Sequence, residues 1–243
     1  MLIYGINPVH EALRAGRVTR LRVAGRSDAR LQALLSDAGR TRVEVQHVDG
    51  ATLDRLSANG VHQGVVADVT APRDVSIADL VRGAEGPPLI VVLDGIEDPH
   101  NVGAIVRSVD ASGANGIVRQ TRRAASLDTV AAKASAGAVS HVPVVDVVNI
   151  ARAIEELKSL NVWTVGLSGD AEQSYDAVDW TLPSAIVLGA EGTGLRRLVR
   201  ETCDLVVSIP MAGHVDSLNV SVAAGVVLFE AARQRNAGIR ADG

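Results

Sequence analysis

Polar side chains and glycines collect in three segments of this sequence, each at a point where an apolar strand would end and a helix begin. The segments span residues 93–113, 187–199 and 208–235. Side chains at such junctions can point into the crevice at the strand ends of an open α/β sheet. Together the segments supply two amides, a guanidinium, a carboxylate and a hydroxyl as candidates for substrate chemistry. These are Asn101, Arg107, Glu191, Ser217 and Asn219.

Three of the five candidates also have a purely structural explanation, which the sequence leaves open. Asn101 stands where it can cap a helix. Arg107 follows six residues later, about 600° around a helix, so the two side chains do not share a face. A solvated helix face is the ordinary position for such an arginine. Glu191 lies near a helix start, where an acid often does no more than complement the helix dipole.

The second segment, VLGAEGTGLRRLV, runs from a strand through a glycine-rich turn into a helix. Backbone N–H groups at such a turn can hold an anion or approach a cofactor closely. The turn is not a P-loop, because no Gly-Lys-Ser/Thr follows it. It is not a dinucleotide fingerprint either, because its glycines fall at positions 189, 192 and 194. The turn therefore predicts an anion or cofactor contact without naming the ligand.

Composition excludes several other classes of site. The six histidines do not fall at metal-ligand spacings, so we expect no metal. Cys203 is the single cysteine; it cannot form an internal disulfide, and we interpret it as a buried small apolar residue. The five aromatic residues are too few for a row of base-stacking platforms. No apolar run reaches the length of a membrane span and no signal peptide opens the chain, so we expect a cytoplasmic protein without a membrane partner.

The elements that would position the candidate residues form two blocks. In residues 1–72 helices and strands alternate, with a helix opening at Asn7-Pro8 and a last strand over residues 65–69, which is typical of a small α/β unit. Proline and glycine at both ends of residues 73–88 predict a linker that contains one short helix.

The second block, residues 89–243, predicts an α/β fold with a doubly wound parallel sheet. It opens with PPLIVVLDG, a run so apolar that it indicates a central parallel strand. Strands and helices then alternate to the end of the sequence, including a predicted helix over residues 127–136. This block contains all three polar segments.

Taken together, the three segments resemble the TrmH-like branch of the SPOUT RNA methyltransferases, and IPMAG followed by SLNVS is the most discriminating part. The resemblance extends to the bacterial enzymes of this branch that 2′-O-methylate a guanosine in the peptidyl-transferase region of 23S ribosomal RNA. The opening YGINPVHEAL and the stretch VHQGVVA resemble the branch's small RNA-binding domain, which has an L30e-like fold. The resemblance covers nearly the whole chain.

The resemblance implies a fold, a methyl donor and partners. Residues 1–72 would form the L30e-like RNA substrate-binding domain, 73–88 the linker, and 89–243 a SPOUT methyltransferase domain with a deep trefoil knot. S-adenosylmethionine would be the donor. A homodimer would complete the active site across its interface, and the partner would be RNA, with no DNA expected.

The resemblance also implies roles for single residues. Asn101 and Arg107 match the first catalytic motif, Glu191 the second, and Ser217 and Asn219 the third. The positions that contact S-adenosylmethionine are matched by Gly189, Ile209 and Leu218.

Two further expectations concern Arg107 and the RNA surface. A guanidinium does not lose its proton in a protein, so we expect Arg107 to stabilise the developing alkoxide of the ribose 2′-oxygen rather than act as a base. Basic residues of the first block and of KASAGA are candidates for phosphate contacts, although a merely solvated surface remains an alternative. They are Arg14, Arg17, Arg20, Arg22, Arg26 and Lys133.

Three rival functions stay open at this point. The same chemistry could act on transfer RNA or on another ribosomal RNA nucleotide, as in antibiotic-resistance relatives. A non-catalytic RNA-binding or ribosome-assembly protein would keep the first block, although all five catalytic-motif residues are present. A nucleotide-binding oxidoreductase is disfavoured because the dinucleotide fingerprint is missing.

Overall fold

The computed structural model describes residues 1–25, 29–70, 75–121, 135 and 138–241. Its strands form two sheets, one of four strands and one of seven. Short 3-10 helices lie at Ala138–Ser140 and Tyr175–Ala177. In chain order the other elements are β1 (Leu2–Tyr4), α1 (Ile6–Arg14), β2 (Val18–Val23), α2 (Ala29–Arg40), β3 (Glu44–His47), α3 (Gly50–Leu56), β4 (Val65–Val69), α4 (Ile77–Arg82), β5 (Leu89–Asp94), α5 (Pro99–Ser112), β6 (Gly116–Gln120), β7 (Val144–Val147), α6 (Ile150–Ser159), β8 (Trp163–Leu167), β9 (Gln173–Ser174), β10 (Ser184–Gly189), α7 (Arg197–Thr202), β11 (Leu205–Ser208) and α8 (Val220–Ala241).

The small sheet has the strand order β1-β4-β2-β3, in which only the β2–β3 pair is parallel. Apolar residues of β2 and β4 form one core with α1 and α2. The helix expected to open at Asn7-Pro8 begins one residue earlier, at Ile6, so Asn7 is not its cap; the N-cap is Gly5, which has a φ of 96°. Glycine alone takes this φ without strain, so the backbone turns directly from strand into helix.

The large sheet is parallel throughout and has the order β7-β6-β5-β10-β8-β11-β9. All six residues of β5 are buried, which confirms the predicted central strand. One core lies on the side of α5 and α8, and a second core lies on the side of α4 and α6. Helices cover both faces, and the prediction of a doubly wound sheet is confirmed.

Some elements differ from the sequence predictions. The short strands β1, β7 and β9 were not predicted, since two to four residues give too little alternation to recognise. The short helix expected in the linker exists as α4, and its buried residues Ile77 and Leu80 belong to the second core of the large sheet. The helix predicted over residues 127–136 lies outside the described residues except for Ser135.

The two sheets are joined by a contact between α1 and the first 3-10 helix, where Nε2 of His141 lies 3.0 Å from Oε2 of Glu11. No helix in the described part of the chain is long and apolar enough to cross a bilayer. Nor do the described residues bring three or more histidine, cysteine or acidic side chains together as metal ligands.

Candidate active site

A cavity of about 590 Å³ opens at the carboxyl edge of the large sheet. Its walls are the loops that follow β8, β10 and β11, three strands that are neighbours in the sheet. The carboxyl ends of parallel strands meet at one edge, and this is where doubly wound folds bind their ligands. The volume lies in the range of cavities that enclose small molecules.

The glycine-rich turn after β10 owes its shape to its glycines. A Cβ on Gly189 would lie 2.2 Å from the carbonyl carbon of Gly194, so only glycine fits there. The N–H of Gly194 donates to the carbonyl oxygen of Ala190 at 2.8 Å and closes the turn. Gly192 and Gly194 have φ values of 76° and 65°, the left-handed region that glycine favours. The closed turn carries Glu191 at the cavity wall.

Asn219 joins the three polar segments. Its Nδ2 donates to Oδ1 of Asn101 at 3.0 Å and to Oε1 of Glu191 at 2.6 Å. Its Oδ1 accepts from the backbone N–H of Ser221 at 2.9 Å and from the Ser221 hydroxyl at 2.6 Å, which caps the start of α8. One amide therefore ties a helix start, a strand-end turn and the first segment together at the cavity.

The structure separates the two candidate residues of α5. Asp98 caps this helix by accepting from the N–H of His100 at 2.9 Å, so the cap explanation for Asn101 is wrong. Asn101 lies within the first turn and is buried, and its side chain reaches Asn219. Arg107 is exposed, does not line the cavity, and forms no hydrogen bond or ion pair with any described residue.

The remaining residues predicted for the site all line the cavity. Ser217 is exposed on the loop before α8, and the predicted cofactor positions form parts of the walls. Those positions are Gly189, Ile209 and Leu218.

Sequence reasoning missed an ion pair whose carboxylate is buried at the end of β5. Asp94, the last residue of β5, has a completely buried side chain. Its Oδ2 accepts from the backbone N–H of Arg196 at 2.9 Å, and its Oδ1 accepts from Nε of the same arginine at 2.6 Å. Asp94 thereby holds the residue that precedes α7. The residue types are visible in the sequence, since an acid ends an apolar strand and two arginines stand at the start of the later helix, but nothing in the sequence pairs them.

A second missed group lies on the cavity wall. Nη1 of Arg200 donates to Oγ of Ser168 at 2.8 Å and to Oδ1 of Asp170 at 2.7 Å, and Ser168 donates to the same carboxylate oxygen at 2.6 Å. The hydrogen bond from Arg200, helped by that from Ser168, lowers the pKa of Asp170 from its ordinary value. Asp170 is therefore an anion at neutral pH.

Cys203, expected to be a buried small apolar residue, is partly buried and packs against the second core of the large sheet. Its Sγ lies 3.3 Å from the position that a Cβ on Gly166 would take. Burial raises the pKa of the thiol to about 12, with a contribution from Asp204. A thiol with this pKa is not a nucleophile at neutral pH.

The arginines proposed for RNA contact do not share one environment. Arg14 pairs with Glu11 and Arg20 with Glu44, and 60% and 42% of their side chains are exposed. Arg22 is 17% exposed and pairs with Asp68 at 2.8 Å. Arg17 donates to the carbonyl oxygen of Thr70 at 3.3 Å, and burial lowers its pKa. Arg26 and Lys133 lie outside the described residues.

The fold and the site define a doubly wound α/β protein whose ligand cavity is walled by the loops of neighbouring strand ends. The pattern of the SpoU rRNA Methylase family matches residues 88–229. A second pattern, described as RNA 2′-O ribose methyltransferase substrate binding, matches residues 2–75. The chain belongs to the SpoU rRNA methylase family.

Individual relatives agree with this assignment. The chain is 45% identical over 241 residues to the 23S rRNA (guanosine-2′-O-)-methyltransferase RlmB of Pseudomonas syringae, covering 97% of this chain and 96% of the relative. Its structure is similar to that of the SpoU methyltransferase AviRb from Streptomyces viridochromogenes in complex with AdoMet, with a TM-score of 0.82 and 29% identity over 98% of this chain and 91% of the other. A TrmH/SpoU tRNA modifying enzyme of A. aeolicus matches 63% of this chain and 77% of its own, with a TM-score of 0.55 and 31% identity.

Proposed function

We propose that this chain transfers a methyl group from S-adenosylmethionine to the ribose 2′-hydroxyl of a guanosine in the peptidyl-transferase region of 23S ribosomal RNA. The observation that carries the proposal is the junction at Asn219, which lines the cavity with Glu191 and ties both to the buried Asn101. Full-length similarity to a 23S rRNA guanosine methyltransferase supports the choice of RNA.

The cavity suits the donor in size and charge. Three acids and one cation line it, and this excess of negative charge suits a ligand with a positive sulfonium. Apolar walls suit an adenine ring, and they include Leu188, Ile209 and Leu218. S-adenosylmethionine supplies a methyl group that a nucleophilic oxygen can attack. The protein's task is to hold the ribose hydroxyl in line and to stabilise the charge that develops on its oxygen.

The hydrogen-bonded amides and Glu191 orient the reacting groups, since each is fixed by another. Glu191 and Asn101 both accept from the same nitrogen, so a movement of one disturbs the other. Arg107 stabilises the alkoxide, as a guanidinium with free donors can. Within one protomer, however, Arg107 does not line the cavity.

A homodimer would account for Arg107, because the arginine of one protomer can reach the cavity of its partner. Val222 and Phe229 lie seven residues apart on α8, and about half of each side chain is exposed. Two helical turns place them on one side of the helix. Small residues nearby, including Gly225, let another backbone approach closely. We assign this face to the interface of the dimer.

The other expectations from the sequence belong to the same proposal. Residues 89–243 form the methyltransferase domain, with a deep trefoil knot near the cavity loops, and residues 1–72 bind the RNA substrate after the linker 73–88. The protein acts in the cytoplasm, where ribosomal RNA is modified. Arg14 and Arg20 contact phosphates, since exposed ion pairs are weak and a phosphate can replace the acid.

The main test is methylation of defined RNA. Purified protein and S-adenosylmethionine are incubated with 23S ribosomal RNA from cells that lack this protein, and the 2′-O-methyl mark is mapped. We expect one modified guanosine in the peptidyl-transferase region, and none with Arg107→Ala protein that still binds the donor. A mark on transfer RNA alone, or on another nucleotide, would replace the proposed substrate. Absence of a thermal shift with S-adenosylmethionine would favour a non-catalytic role.

Mixed dimers test the position of Arg107. If this arginine serves the partner's cavity, a dimer of one Arg107→Ala chain and one Glu191→Gln chain has one complete site. We expect mixing of the two inactive variants to restore activity. Mixed dimers that form but stay inactive would show that Arg107 acts in its own cavity.

A further inference from the structure

The cluster of Ser168, Asp170 and Arg200 lies outside the three catalytic motifs yet lines the same cavity. Two of its members follow β8 and the third lies in α7, so it links two walls. Both hydrogen bonds to the carboxylate of Asp170 end on Oδ1, at 2.7 Å from Arg200 and at 2.6 Å from Ser168. The orientation of this carboxylate is therefore fixed through one of its two oxygens.

The second oxygen of Asp170 is available to a ligand. No described residue donates a hydrogen bond to Oδ2, and 71% of the side chain is exposed. A carboxylate oxygen accepts two hydrogen bonds and donates none. Asp170 therefore presents an acceptor that a pair of hydroxyl donors could satisfy.

The neighbouring charges favour a neutral ligand group at this oxygen. Arg200 already balances the charge of Asp170, so an ammonium group at Oδ2 would meet a second cation nearby. A diol carries no charge and meets no such repulsion. An acid near the end of a parallel strand is also a recurring partner of ribose hydroxyls in doubly wound sheets. Asp170 lies three residues beyond the end of β8.

We propose that Asp170 binds the ribose hydroxyls of the methyl donor, and that Arg200 is a positioning residue that holds its carboxylate through Oδ1. The inference rests on the proposed function, because it takes the ligand of the cavity to be S-adenosylmethionine. It adds a specificity determinant to the donor site, since a ligand without these hydroxyls loses the contact.

Calorimetric titration of the full chain tests the proposal. The ligands are S-adenosylhomocysteine, 5′-methylthioadenosine, which has the ribose but no amino-acid part, and 2′,3′-dideoxy-5′-methylthioadenosine, which lacks both ribose hydroxyls. We expect Asp170→Asn and Asp170→Ala to lower the affinity for S-adenosylhomocysteine and for 5′-methylthioadenosine about tenfold. The dideoxy ligand binds wild-type protein less tightly, and we expect the variants to change its affinity by no more than about twofold. Glu172→Gln, in the same loop but outside the cavity wall, is the matched control and leaves all affinities unchanged.

Two results would overturn the assignment to ribose. One is that the Asp170 variants lose affinity for S-adenosylhomocysteine but not for 5′-methylthioadenosine, which would place Asp170 at the amino-acid part of the donor. The other is that the variants lose the same affinity, or none, for the ligand with ribose hydroxyls and for the ligand without them. If the wild-type protein binds neither S-adenosylhomocysteine nor S-adenosylmethionine, the proposed function fails as well, so the two failures are distinguishable.

Arg200→Ala tests the positioning role. We expect this variant to lower the ratio of ribose to dideoxyribose affinity as Asp170→Ala does, and the double variant to add nothing further. Thermal unfolding checks that the variants are folded. A folded Arg200→Ala protein that keeps the wild-type affinity ratio would contradict the role.

Discussion

The two sheets use their polar residues in different ways. In the small sheet the charged residues lie along the strands, where Arg20 pairs with Glu44 on the neighbouring strand and Arg22 with Asp68. In the large sheet the central strands β5 and β10 are almost wholly apolar, and polar residues lie where these strands end, although Arg119 and Asp146 pair across β6 and β7. There they form hydrogen bonds between loops that are far apart in sequence, such as the bond from Asn219 to Asn101.

This difference explains why the type and spacing of polar residues indicate function better in the large sheet than in the small sheet. A charged side chain on a strand finds a partner on the next strand, which satisfies it without any ligand. A polar side chain at a strand end has no such ladder of neighbours. Several of them converge at the edge of a parallel sheet, and a cavity forms between them.

The largest loss of activity is expected for Asn219→Asp, at the junction of the strand-end loops. Aspartate also caps helices well, so α8 keeps its cap, but the two hydrogen bonds to Asn101 and Glu191 are lost and a second negative charge faces Glu191. We expect kcat/KM for RNA to fall about 10³-fold, which corresponds to roughly 4 kcal/mol. Methyl incorporation measured at saturating donor gives the loss, and urea unfolding gives the stability.

Asn149 provides the matched control for the capping role. It caps α6 by accepting from the N–H of Arg152 at 3.2 Å, and it does not line the cavity. Asn149→Asp should leave both activity and stability close to wild type. The comparison fails if Asn219→Asp retains full activity, because the junction of the three loops would then be structural only.

The next effect concerns stability and the buried end of β5. Asp94→Asn leaves Arg196 without the carboxylate that accepts from its backbone and side chain. The carboxylate of Asp94 is completely buried while 51% of the Arg196 side chain is exposed, so the loss comes mainly from unmade hydrogen bonds at a buried group, and we expect it to be about 2 kcal/mol in the free energy of unfolding. Asp146→Asn is the control, because Asp146 pairs with Arg119 while 45% of its own side chain is exposed. Equal losses in urea unfolding would contradict the distinction between a buried and an exposed carboxylate.

The two sheets also differ in what the sequence could predict. The apolar run of β5 identified the parallel sheet, because a strand buried on both faces needs no alternation. Asn101, Glu191 and Asn219 were singled out by residue type, yet their hydrogen bonds depend on how strand ends meet in three dimensions. Local sequence carries no information on such meetings, which is why the pair of Asp94 and Arg196 was missed.

The sequence was a poorer guide to which residue caps a helix, because neighbouring residues compete for the cap. Asn7 and Asn101 are both good capping residues by type. In the structure Gly5 and Asp98 precede them and start the helices earlier, so neither asparagine is a cap. A sequence that offers two cap residues within three positions does not show which one the chain will use.

The third prediction separates the arginines of α1 and β2 by the exposure of their side chains. A protein with Arg14→Ala and Arg20→Ala should lose two phosphate contacts, and the slope of log affinity against log salt should become shallower by roughly 1.5 to 2. Arg22→Ala should leave this slope unchanged, because Asp68 already holds that side chain. Filter binding of 23S ribosomal RNA at several salt concentrations measures the slopes. An unchanged slope for the double variant would remove these arginines from the RNA surface.

The smallest effect is expected in the acid dependence of stability, where the pairs of the two regions can be compared directly. Burial alone would raise the pKa of Asp204, but hydrogen bonds from Lys158 and Thr164 outweigh it and lower the pKa below its usual value. In the small-sheet region the hydrogen bond with His10 lowers the pKa of Asp37.

A carboxylate whose pKa is lower in the folded state contributes stability that is present above its unfolded pKa, near 3.8, and is lost as the pH falls through the folded value. Asp204→Asn should therefore flatten the fall in stability below about pH 4, as measured by urea unfolding at several pH values. Asp37→Asn should flatten it less, because 37% of that side chain is exposed against 20% for Asp204. A larger effect from Asp37 would mean that the more exposed pair on α2, rather than the more buried bonds of Asp204 beside β8, makes the larger contribution to the acid stability of the fold.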